Sequence, residues 1–129
     1  VHLIFGNHDE KLERNKENCQ SLFSSVNHYL KLEVISKVKP LGFDNFINQR
    51  THLVLSHFPI CSWHDMNMGV IHLFGHLHLP SHHKLREGKA LDVGVEGNDF
   101  KPYSLEDVEH LTFKQPRRNI TIPQDHHQI

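Results

Sequence analysis

The sequence predicts a mixed α/β domain in which strands dominate after residue 30. Three observations carry this reading. Short apolar runs recur at residues 1–5, 52–56 and 70–74, and each stops abruptly at a glycine or a histidine. A helical spacing of apolar residues occurs once, at Leu22, Phe23, Val26, Tyr29 and Leu30. The polar, reactive residues sit where the strands stop, which is the edge where open α/β sheets bind ligands.

The elements follow in order. Residues 1–5, VHLIF, form a nearly continuous apolar run, expected to be a strand buried on both faces and ended by Gly6. Residues 10–30 begin charged and then acquire the helical face, so a helix is expected over their second part. Residues 31–38, KLEVISKV, alternate weakly as a strand, and Pro40-Leu41-Gly42 signals a turn. One or two strands are expected over 45–56, a loop with Pro59 and Trp63 over 58–69, and a strand over 70–79. Residues 83–95 read as a hairpin turning at Glu87-Gly88. Ser104 and Asp107 form a capping box for a short helix to about Leu111. The domain is expected to span 1–114, with a frayed polar tail over 115–129.

Bulk properties narrow the class. A chain of 129 residues suffices for one domain with a core. With 37% apolar and 22% charged residues it reads as globular. The formal charge of −1 supplies no basic field for nucleic acid, which enters only as a conceivable substrate. No apolar run approaches the roughly 18 residues that span a bilayer. Cys19 and Cys61 are few and far apart, the pattern of reduced thiols in a cytoplasmic protein. Asn119-Ile120-Thr121 matches a glycosylation acceptor without a secretory context, and reads as coincidence.

Histidine is abundant, with 14 in the chain, and position decides what the histidines mean. In Gly75-His76-Leu77-His78, strand alternation would point His76 and His78 the same way, and Gly75 would admit a close neighbour. His57 ends an apolar run ahead of Phe58-Pro59. Asn7 offers a carbonyl oxygen, His8 an acid or base, and Asp9 either a partner for an imidazole or a helix N-cap. Each signal alone also fits a core or solvent-facing histidine. Their ordered coincidence, N-H-D, then S-H, then G-H-x-H, carries more.

On these residues the chain resembles the C-terminal part of a calcineurin-like metallophosphoesterase, of the small bacterial and phage type. The segment LDVGVEGNDFKPYSLEDV, from Leu91, resembles the end of such members. The resemblance implies a four-layer αββα sandwich of mixed sheets and a dinuclear site of Mn, Fe, Ni or Zn. It implies Asn7, His57 and His76 as ligands of one metal and His78 as a ligand of the other. It further implies His8 as the group that contacts the phosphate ester and protonates the leaving alkoxide, with Asp9 orienting it. The family's D-x-H and G-D-x-x-(D/N) motifs do not occur before Asn7. Val1 opens the chain inside a strand, so an incomplete chain lacking N-terminal strands is expected. Leu79-Pro80 departs from the small residue usual after the last motif histidine. His72, His82 and His83 read as packing or exposed loop residues, and Trp63 as a loop anchor. The competing classes are a scaffold of the same fold with a degenerate metal site and an unrelated His-rich metal binder. The 129-residue chain alone is expected to bind metal weakly and to leave phosphate esters intact.

Overall fold

The structure, a computed structural model, describes residues 1–85 and 87–117. It is mixed α/β, with sheets of mixed strand orientation. Strand β1 (His2–Ile4) leads to two short helices, α1 (Glu10–Arg14) and α2 (Lys16–Gln20). Strands β2 (Ser25–Asn27), β3 (Tyr29–Val38) and β4 (Ile47–Ser56) follow. Then come β5 (Ile71–Phe74), β6 (Ala90–Asp92) and helix α3 (Leu105–Thr112), with single 3-10 turns at Met66–Met68 and Val95–Asn98.

β1 and β2 pair in parallel as a two-stranded sheet. The second sheet has the order β3-β4-β5-β6. β3 and β4 form an antiparallel hairpin in register from Tyr29↔Ser56 to Val38↔Ile47. Its loop begins with the Pro40 turn: Phe43 N–H donates to the Pro40 carbonyl at 3.1 Å, and Gly42 takes φ 86°. A left-handed residue at that third position favours glycine. β4, β5 and β6 run parallel, pairing Leu53↔Ile71 and Phe74↔Asp92. Parallel neighbours need crossovers of a dozen or more residues, and residues 57–70 and 75–89 supply them.

The central strands are covered on both faces. Leu53, Ile71 and Leu91 pack against Val108 of α3, flanked by Leu73, Leu105 and Leu111. Val54, on the opposite face of β4, packs on Trp63 and Met66 of the 57–70 crossover. Trp63 anchors that crossover further by donating Nε1–H to the Val70 carbonyl at 2.8 Å. The α3 ends are closed by chemistry the sequence announces. Ser104 and Asp107 form the reciprocal capping box. At the other end, Lys89 Nζ donates to the Thr112 and Phe113 carbonyls at 2.8 and 3.0 Å. Partial burial, and then the nearby Arg117 charge, lower the Lys89 pKa.

Four expected elements differ. β1 is not buried on both faces: Val1 is 85% exposed, and the run becomes buried only at Phe5. The helix expected over 22–30 is replaced by β2 and the start of β3. Ten-residue pairing with β4 and docking of Val26 against Phe5 and Cys19 override the local helical spacing. The helices lie earlier, in the Lys/Glu/Arg-rich 10–20 segment, whose residues favour helix intrinsically, and Asn15 divides them. Residues 70–79 are strand only to Phe74. Among the described residues the 83–95 hairpin does not form, and β6 pairs in parallel with β5 instead.

Gln115, within the expected tail, is tied to the sheet. Gln115 Oε1 accepts the Ala90 N–H at 2.7 Å, extending the hydrogen bonding of β6. The rest of the expected tail, with Asn119-Ile120-Thr121 and Asp125-His126-His127, lies outside the described residues. Among the described residues, no helix is long and apolar enough to cross a membrane. Cys19 is buried and Cys61 exposed.

His72 shows how the core treats a histidine. It is 1% exposed. Its Nδ1–H donates to the Val54 carbonyl at 3.0 Å, and its Nε2 accepts the Ile60 N–H at 3.1 Å. Both ring nitrogens are therefore used by one neutral tautomer, and protonation would set Nε2–H against Ile60 N–H. Burial lowers the His72 pKa below its usual 6.5, only partly offset by the Val54 bond. Its contribution to stability is whole above that value. It is lost as pH falls through the lowered folded value, because the unfolded chain takes the proton first. His72→Leu is expected to cost about 1–3 kcal/mol in urea unfolding at pH 7.5, by stranding two buried backbone groups. The gap to wild type should narrow at pH 5, and an unchanged gap would contradict a neutral buried ring. Leu91→Ala, at the centre of the α3-covered core, is expected to cost about 2–5 kcal/mol in the same measurement.

Candidate metal centre

The parallel strands end on one rim. His57 follows β4, Gly75-His76 follows β5, and Val93 to Glu96 follow β6. The end of β1 meets the same rim, because Gly6 lies against the His57 ring. A Cβ at Gly6 would stand 3.0 Å from His57 Nδ1 and 3.1 Å from Cε1, tighter than side chains ordinarily approach. Gly75, expected from sequence to be the close-approach glycine, would meet His57 only at an ordinary 3.7 Å. The glycine that seats the imidazole is Gly6.

Asn7 is the meeting point. Its Oδ1 lies 2.7 Å from His57 Nε2 and 3.3 Å from His76 Nδ1. A carbonyl oxygen only accepts, so each ring presents an N–H to it. The His57 and His76 ring centroids are 5.2 Å apart, and Phe58 stands 4.7 Å from His76 as an apolar wall. Burial, followed by the charge of His76, lowers the His57 pKa. That shift favours the neutral imidazole, the form that ligates metals.

His76 and His78 do not share a strand face. β5 ends before them, and both adopt left-handed backbone, with φ 69° and 56°. Leu77 N–H donates to the Gly75 carbonyl at 2.8 Å, so His76 sits at the centre of a three-residue turn of the rarer, strained hand. Such positions cost on the order of 1–3 kcal/mol each and persist only when their surroundings over-determine them. Here Gly75 N–H bonds the His57 carbonyl at 2.9 Å, and Leu79 N–H donates to Asp92 Oδ2 at 3.0 Å. Asp92 is 2% exposed, and its other oxygen accepts Gly94 N–H at 2.9 Å.

His78 lines one cavity of about 510 Å³ together with His57, His76, Asp92 and Glu96. Its Nδ1 lies 2.6 Å from Glu96 Oε1. Glu96's own backbone N–H, and then the His78 ring, hold its carboxyl below the usual range. His8 is exposed, beside His57 closely enough for its charge to act on that ring. No hydrogen bond joins Asp9 to His8. Its Oδ2 accepts Gly6 N–H at 2.7 Å, closing the Gly6-to-Asp9 turn, and it makes no side-chain N-cap bond to α1.

The donor chemistry can be weighed against a cation. Nitrogen and oxygen ligands about 2.0–2.2 Å from a divalent ion lie roughly 3–3.5 Å from one another. Asn7 Oδ1 lies 3.3 Å from His76 Nδ1, on that scale, and 2.7 Å from His57 Nε2, closer than it. By donor type, this N,N,O set suits a borderline divalent metal. For a neighbouring one the chain adds His78. Among the described residues, no three His, Cys, Asp or Glu side chains form a ligand cluster by themselves.

Asp92 and Glu96 are the site residues that motif reasoning passed over. A carboxylate between Leu91 and Val93, inside an apolar strand end, is the signal that marks Asp92. Glu96 had no local signal beyond its nearness to that segment. No protein-family model, curated protein or solved structure matches the chain.

Asp92→Asn replaces one acceptor by an amide N–H, leaving Leu79 or Gly94 N–H opposed. A stability loss of about 1–3 kcal/mol is expected, with faster amide exchange at Leu79 and Gly94 as the direct readout. Unchanged exchange at both would show that Asp92 does not hold the loop.

Proposed function

We propose that this chain is part of a metal-dependent phosphoesterase of the calcineurin-like type, with the four-layer sandwich that its motifs imply. The single observation that supports this reading best is Asn7 Oδ1 held between His57 and His76, three residues remote in sequence. A scaffold has no chemical need for that convergence. Two divalent cations would neutralise an anionic ester, orient it and acidify a water for attack.

The chain's own residues have separable roles. Asn7, His57 and His76 would hold one cation and His78 the other. Gly6 keeps the His57 ring in place, and Phe58 walls it. In hydrolysis the water oxygen bonds to phosphorus as the ester P–O bond breaks. The exposed His8 would give its ring proton to the departing alkoxide, a contribution of about 10²–10⁴-fold. The substrate is a phosphate ester, with nucleic acid admitted only in that capacity. Two cysteines, few and far apart in the chain, fit a reducing compartment, the cytoplasm.

Calorimetric titration with Mn²⁺ tests the reading. His57→Ala and His76→Ala are each expected to weaken binding at least about tenfold, with His126→Ala unaffected. An equal loss from His126→Ala would favour a diffuse His-rich binder, and no Mn²⁺ uptake by the wild type would favour the scaffold. The chain alone is expected to leave p-nitrophenyl phosphate and its bis ester intact. Turnover lost in His57→Ala would show that the residues present already suffice.

A further inference from the structure

Glu96 has no part in the roles above, yet it makes a close contact in the cavity. Its Oε1 is 2.6 Å from His78 Nδ1. Both partners are substantially exposed, at 65% and 38% of their side chains, and a pair of that kind contributes little to stability. What distinguishes it from an ordinary surface pair is its mounting.

The Glu96 backbone is wedged against the histidine loop. A Cβ at Gly97 would stand 2.6 Å from the Leu79 carbonyl, so the 3-10 turn carrying Glu96 touches the loop with no room for a side chain. A Cβ at Gly94 would lie 3.0 Å from Asp92 Oδ1 and 3.1 Å from Glu96 Oε2. The chain therefore passes between the two carboxylates in a gap sized for glycine. Leu79, next to His78, is tied to Asp92 from the same segment. His78 itself is held at φ 56°. The backbone at both ends of the pair is held by contacts other than this hydrogen bond.

The bond decides which nitrogen of His78 is available. An ionised carboxylate only accepts, so Nδ1 must carry the proton. In the neutral ring Nε2 is then a bare lone pair, which can ligate a cation but cannot donate to a phosphate oxygen. We infer that Glu96 is a positioning residue that fixes His78 in the Nδ1–H tautomer and presents Nε2 as a metal-ligating lone pair. The inference rests on the metal-site reading above for the identity of what Nε2 meets. The alternative role of His78, a proton donor to the ester, is an outcome of the test.

Two measurements on the full chain separate the possibilities. Nitrogen-15 NMR of the imidazoles at pH 8, where free histidine is neutral, reads the tautomer without any metal. Wild-type His78 is expected to be Nδ1–H. Glu96→Ala should lose that preference, and Glu96→Gln, which keeps a carbonyl acceptor, should retain it. An Nε2–H wild-type ring, or an unchanged tautomer in Glu96→Ala, overturns the inference. Mn²⁺ titration is the second measurement. Glu96→Ala is expected to weaken binding about 10–100-fold, Glu96→Gln less, and Glu96→Ala should add nothing to His78→Ala. Additive losses, or wild-type affinity in Glu96→Ala, also overturn it. A wild type that binds no Mn²⁺ sinks the metal-site reading and the ligand role of His78 with it, while the tautomer result still decides whether Glu96 holds the ring.

Discussion

Parallel pairing of β4, β5 and β6 is the constraint on which the rest depends. Strands that run the same way end on the same edge, so whatever follows them is delivered to one rim. His57, His76 and Glu96 are successive products of that rule. The rule also demands long crossovers, and these are put to use. Residues 57–70 cover one face of the sheet with Trp63 and Met66, while α3 covers the other. The strands at the middle can therefore be apolar on both sides, and their rigidity is passed to the loops they carry.

The rim is where the backbone departs from comfortable geometry. His76 and His78 both take left-handed conformations that a β-strand would never impose. The cost is offset by contacts from two directions: the His57 carbonyl on Gly75 N–H, and the buried Asp92 on Leu79 N–H. Strain held in this way makes the imidazole positions discrete. A loop of ordinary residues in relaxed conformations would hold them less closely to Asn7.

Histidine serves three purposes within a few strands, and environment separates them. His72 is sealed in the core with both nitrogens bonded to backbone, so its tautomer is fixed and its charge is suppressed. His57 and His76 face a shared amide oxygen, to which each ring presents an N–H. His78 is bonded at one nitrogen by a carboxylate and left free at the other. Residue type alone does not distinguish these cases. The hydrogen-bond partner of the second nitrogen does.

The sequence by itself determined the local signals: the apolar runs of β4 and β5, the Pro40 turn, the Ser104 capping box and the abrupt arrival of histidine after each strand. Those depend on neighbours a few residues apart, and such interactions are legible in order. It misplaced the first helix and read 83–95 as a hairpin, because in both places pairing with a distant strand outweighed local spacing. It named Asn7, His57, His76 and His78, but could not show that three of them share one oxygen. It assigned close approach to Gly75 where the structure assigns it to Gly6, and set Asp9 on His8 where the structure sets it on Gly6. It passed over Asp92 and Glu96 as site residues. Those facts are distances between residues tens of positions apart, and only the parallel sheet, by bringing its strand ends together, decides them.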